Sequence, residues 1–185
     1  DTRIVVLKKA VSASRLIKTK EYKDIVLEVL RKRNRDKQVI SAMGHARMVT
    51  SGDMGRNENN QPVIKDGLVA VHNGIIVNDQ ALWKRFPSLK RDYEVDTEIL
   101  LSLLRKFIKE GMNPVESLKK TYSFIEGSAT VGIFFKDYNY LMLSTNTGSL
   151  YLFHNKLYKT VIYTSELYFV KKILERKFFK HIFNK

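Results

Sequence analysis

Cysteine is missing altogether from these 185 residues. That absence excludes disulfide bonds and thiolate metal sites, and it agrees with a reducing compartment, for which the cytoplasm is the default. No run of about 18 uncharged apolar residues occurs, so no membrane-spanning helix is expected. The opening Asp1-Thr-Arg-Ile-Val-Val lacks the charged-then-apolar layout of a secretory signal. Internal repeats and low-complexity stretches are absent too. With 44% hydrophobic residues the chain is long enough to bury one sizeable core, and residues 1–185 are expected to form a single domain. Nothing in the composition asks for a cofactor or a metal ion.

Acidic residues are scarce: 19 Asp and Glu stand against 33 Lys and Arg, for a net charge of +14. Such an excess raises nucleic acid or an anionic membrane surface as a partner. Its distribution argues otherwise. Residues 1–38 hold twelve basic against five acidic side chains and residues 156–185 hold eight against two, whereas residues 39–155 have thirteen against twelve. Every chemical motif lies in that balanced middle. Tyr168, Phe169, Phe178 and Phe179 stand near basic residues, but no zinc-ligand spacing, ribonucleoprotein motif or helix-turn-helix signature accompanies them. A basic nucleic-acid-binding protein is therefore the weaker alternative, and neither nucleic acid nor membrane is expected as a partner.

The hydrophobic pattern gives a coarse map. Residues 3–7 are β-branched and apolar and read as a strand, followed by one or two helices between Ser12 and about Leu30. Arg31 to Lys37 reads as a solvated turn, and Val39 to Met43 as another strand. Gly67 to His72 has no helical period and reads as a buried strand stopping at a tight Asn73-Gly74 turn. Ile99, Leu100, Leu103, Leu104, Phe107 and Ile108 recur at helical spacing up to Gly111. Asn113-Pro114 opens a second helix in the cap-then-proline pattern. Segments 129–135, 140–145, 149–154 and 159–164 then read as an antiparallel meander, and Ser165 as the cap of a last helix. Strands, two helices and strands again predict an α+β layered domain.

Three segments place unusual polar residues at strand ends: Gly44-His-Ala-Arg-Met-Val-Thr-Ser-Gly52, His72-Asn-Gly-Ile-Ile-Val-Asn78 and Val95-Asp-Thr-Glu98. Arg47 offers a planar guanidinium whose fork suits a carboxylate. Asp96 suits an ammonium group, or caps the helix that starts beside it. Asn73-Gly74 is an ordinary turn or a pair of hydrogen-bond donors at a strand end. His45 and His72, on apolar strands, read as satisfied core groups.

In this order and spacing the segments resemble the glutaminase domain of the class II glutamine amidotransferases, closest to the glucosamine-6-phosphate synthase branch, with a likeness to amidophosphoribosyltransferase in Asn60-Gln-Pro62. The resemblance runs from Arg3 to about Leu174. It implies the N-terminal nucleophile hydrolase fold, a four-layer αββα sandwich of two antiparallel sheets between helices. It further implies that Arg47 and Asp96 hold the α-carboxylate and α-ammonium of L-glutamine, and that Thr50, Ser51 and Gly52 line the pocket. Asn73 and Gly74 are implied as the oxyanion hole. Ammonia released from glutamine passes in such proteins to an acceptor-binding synthase domain or subunit, here an amino-sugar precursor by the same likeness.

The departures are as informative. The family's nucleophile is an N-terminal cysteine thiol, and this chain has none. Its first strand aligns well inside the family domain, so roughly fifty residues typical of such a domain are expected to precede it. Ser51 and Met48 stand where the synthase has histidine and tryptophan. The implied function is a glutaminase domain that is inactive as it stands, and the alternative is a catalytically dead glutamine-binding regulatory module.

Overall fold

The computed structural model describes residues 3–32, 39–46, 59–157 and 159–176. Its elements in chain order are α1 (Ala13–Leu16), α2 (Lys20–Lys32), β1 (Val63–Lys65), β2 (Leu68–Ile76), α3 (Asp79–Arg85), α4 (Asp96–Lys109), α5 (Pro114–Tyr122), β3 (Gly127–Phe135), β4 (Leu141–Thr145), β5 (Tyr151–Asn155), β6 (Thr160–Thr164) and α6 (Leu167–Leu174). Among the described residues the strands form two antiparallel sheets, one ordered β1-β2-β3-β4 and one of β5-β6. The domain is α+β, as its sequence pattern predicts.

Alternation along the β2–β3 ladder sorts side chains onto two faces. Leu68, Ala70, His72 and Ile76 share one face with Phe135, Ile133, Val131 and Ala129, and all eight are buried. Onto that face pack Ile99, Leu100, Leu103, Leu104 and Phe107 of α4, which α5 backs. Asn113 begins α5 as expected: its side chain accepts from Glu116 N at 3.0 Å, with Pro114 in the first turn. The opposite face carries Val69, Val71, Asn73 and Ile75, paired with Phe134, Gly132, Thr130 and Ser128. Residues 42–43 reach both sheets. Met43 Sδ lies 3.6 Å from where a Cβ on Gly132 would sit, and Tyr163 OH donates to Ala42 O at 3.5 Å. Helix α6 packs on β5 and β6.

Six expectations are corrected. Residues 3–7 and 39–43 join no ladder among the described residues, because β-propensity makes a strand only where a partner edge meets it. Strand β2 does not stop at Asn73-Gly74. It continues to Ile76, with Asn73 opposite Thr130 and Gly74 opposite Ala129. The meander is broken between β4 and β5: Thr145 Oγ1 donates to Gly148 O at 2.8 Å, and the chain leaves the first sheet there. Ser165 caps nothing, since α6 begins after Glu166 and has no side-chain cap. Of the expected turn from Arg31 to Lys37, Arg31 and Lys32 end α2 and the rest lies outside the described residues.

Candidate functional site

Arg47, Thr50, Ser51 and Gly52 lie outside the described residues, as does Met48. The structure positions the other expected site residues, Asn73, Gly74 and Asp96, around the C-terminal half of β2.

That half of β2 has an unusual edge. Past Val63, which pairs with Ala70, the β1 side of β2 meets side chains in place of a strand. Gln61 supplies both halves of a peptide-like partner to His72: its Oε1 accepts from His72 N at 2.6 Å and its Nε2 donates to His72 O at 2.7 Å. Four residues on, Ile76 N donates to Asp96 Oδ2 at 2.8 Å. Backbone groups alternate in direction along a strand, so the N–H of Gly74 points to this same edge, midway between the two capped positions. Asn73 is exposed on the face away from α4. Gly74 itself is irreplaceable in this geometry. Its φ is +142°, and a Cβ there would fall 2.1 Å from Ser128 O.

Asp96 occupies the first residue of α4 but does not act as its N-cap, a place taken by Val95. Its carboxyl is directed at β2. Burial alone would raise its pKa, yet the neighbouring His72 imidazole and the N–H groups of Ile76 and Thr97 outweigh that and hold it below the ordinary carboxylate range. His72 Nδ1 lies 3.7 Å from Asp96 Oδ1. The ring is 2% exposed and satisfied on both sides, with Nδ1 3.0 Å from Thr97 Oγ1 and Nε2 donating to Ser128 O at 3.3 Å. It is a core histidine, as its apolar strand predicts. Asn78 closes the far end of the site by donating to Phe124 O at 2.9 Å and accepting from Glu126 N at 3.0 Å.

Sequence reasoning missed a buried charge cluster behind Asp96. Lys65 and Glu98 are 6% and 0% exposed. Lys65 Nζ lies 2.9 Å from Glu98 Oε1, donates to Lys90 O at 2.8 Å and pairs with Asp92. Burial would lower the Lys65 pKa, but Asp92 and Glu98 more than offset it and raise it, while Asp92 is lowered by Lys65 and Lys90. No periodic signal marks either residue. The hint was Glu98 itself, in the Val95-Asp-Thr-Glu98 segment. Among the described residues no group of acidic or histidine side chains has metal-binding geometry, and no helix is long and apolar enough to cross a membrane.

A two-sheet α+β domain, with Asn73 and Gly74 inside a strand that runs on to the residue held by Asp96, is the setting in which family membership is decided. The glutamine amidotransferase domain family matches residues 45–172, and the chain belongs to it. Among individual proteins, it is 32% identical over 110 residues to glutamine–fructose-6-phosphate aminotransferase (isomerizing) of Bradyrhizobium diazoefficiens, a match covering 58% of this chain and 18% of that protein. The enzymes of the same name from Bartonella henselae and Sulfurisphaera tokodaii are 29% identical over 108 residues and 31% over 106, covering 57% and 56% of this chain and 18% of each relative. The chain thus spans about a fifth of the length of these relatives. A solved glutamine phosphoribosylpyrophosphate amidotransferase from B. subtilis superposes with a TM-score of 0.48 at 20% identity, over 58% of this chain and 24% of that one.

Proposed function

We propose that this domain binds L-glutamine at the C-terminal end of β2 and serves hydrolysis of its side-chain amide, with ammonia passing to an acceptor held by a synthase domain or subunit. The observation that carries the reading is the edge of β2. Gln61 caps His72 there and the Asp96 carboxylate accepts from Ile76 N, and strand alternation directs the Gly74 N–H between them.

In the proposed chemistry a thiolate attacks the amide carbon of glutamine and forms a tetrahedral centre whose oxygen carries negative charge. The Gly74 N–H and the Asn73 side-chain amide donate to that oxygen. Collapse of the centre, with a proton delivered to nitrogen, expels ammonia and leaves a thioester. Water then cleaves the thioester to glutamate and regenerates the thiol. Asp96 takes the α-ammonium and Arg47 the α-carboxylate, with Thr50, Ser51 and Gly52 lining the pocket. The 185 residues contain no thiol, so by themselves they bind glutamine without turning it over. The relatives are named for transfer to fructose 6-phosphate, and by that likeness the acceptor proposed is an amino-sugar precursor.

Calorimetry of the 185-residue chain with L-glutamine tests the reading. Saturable binding that Asp96→Asn weakens supports it; no binding, or binding indifferent to that substitution, overturns it. The absence of cysteine also favours a second reading, a regulatory module that senses glutamine without chemistry. Glutamine binding with no ammonia release in the natural full-length protein would establish that alternative.

A further inference from the structure

Val95, at the N-cap of α4, has no side-chain oxygen to hold the first turn. Glu98, in the third position of the helix, holds the approach instead. Its Oε1 accepts from Asp92 N at 2.7 Å and its Oε2 from Tyr93 N at 2.8 Å, reaching further back than an ordinary capping box. A fully buried carboxylate needs a countercharge. Lys65 of β1 supplies it, and the same ammonium also ties down Lys90 O and Asp92. Residues 90–93 are thereby fixed to β1 just ahead of Asp96. Glu94 is held as well, its N–H donating to Asn59 Oδ1 at 3.2 Å and its Oε2 accepting from Asn59 Nδ2 at 3.2 Å. With the start of the helix secured by Glu98, the Asp96 carboxyl is free to turn toward Ile76 N.

We propose that Lys65 and Glu98 are positioning residues for the α-ammonium subsite of glutamine: their buried pair sets the course of residues 90–95 and so the place of the Asp96 carboxylate. The proposal rests on the reading of Asp96 as the ammonium contact. It assigns a selective effect, because a ligand without an α-amino group has no use for Asp96.

The test compares L-glutamine with 4-carbamoylbutanoate, the same skeleton lacking the amino group, as ligands of the 185-residue chain in calorimetry, with far-UV circular dichroism confirming each variant's fold. Asp96→Asn is expected to weaken glutamine by about tenfold to a hundredfold, the worth of a charge-assisted contact, and to leave the amino-free ligand unchanged. Glu98→Gln and the Lys65→Met/Glu98→Gln pair are expected to repeat that selective loss, and Lys65→Arg to spare most of the affinity. The double variant leaves no buried charge unmatched, and half-exposed Asp92→Asn loosens the same loop if neither core variant folds. Folded variants that keep wild-type glutamine affinity, or weaken both ligands alike, overturn the positioning role while a selective Asp96→Asn loss leaves the glutamine reading standing. Should Asp96→Asn itself change nothing, the ammonium reading fails and this proposal with it.

Discussion

At the scale of single residues, Gly74 and Asp96 make opposite demands. Gly74 is constrained by shape: Gly74→Ala would force a Cβ onto Ser128 O at a backbone angle that side chains rarely adopt. The expected loss is about 2–4 kcal/mol, read as a lower urea midpoint. Asp96 is constrained by charge. Its pKa is lower in the folded chain than its ordinary value, so its contribution to stability is complete above about pH 4 and fades as pH falls through the depressed value. Asp96→Asn should therefore flatten the acid limb of a stability–pH curve below about pH 4. Asn73 is expected to differ from both. A group that meets the oxyanion serves the transition state, so Asn73→Ala should leave the glutamine dissociation constant of the 185-residue chain within about twofold. A loss as large as that of Asp96→Asn would make Asn73 a contact for bound glutamine instead.

At the scale of elements, α5 offers a clean test of local rules. Asn113→Ala removes the acceptor for Glu116 N and should cost about 1 kcal/mol, seen as a fall in melting temperature without change in glutamine affinity. This helix and α4 were legible because period and caps are local properties, carried by residues such as Leu100, Leu104 and Pro114. The course of β2 was not. Asn-Gly is a turn signal by itself, and only the partners Thr130 and Ala129 on a strand over fifty residues away carry the chain straight through it. Residues 39–43 failed in the reverse sense, having strand composition and no ladder. Of the three polar segments, the second and third do come together in the fold, where Asp96 meets Ile76. Lys65 and Glu98 stayed hidden because a lysine and a glutamate in sequence look like solvated surface until the fold encloses them.

At the scale of the whole molecule, the chain belongs to the glutamine amidotransferase domain family and its 185 residues hold no thiol. Purified residues 1–185 are expected to release no ammonia from glutamine in a coupled glutamate dehydrogenase assay, since the covalent path has no nucleophile; sustained release would refute the mechanism proposed for it. The two sheets also differ in how deeply they are enclosed. Sheet β1–β4 with α4 holds almost all the fully buried side chains, whereas β5, β6 and α6 contain a single buried residue, Val170. Domains open in pieces ranked by enclosure. Amide protons of β5, β6 and α6 should therefore exchange with deuterium well before those of β2, β3 and α4, in a partial opening that never reaches global unfolding. During such an opening Asn73, Gly74 and Asp96 stay together, because every contact that fixes Asp96 to β2 belongs to the slower half. The molecule can breathe on one side while the strand edge proposed to face glutamine keeps its shape.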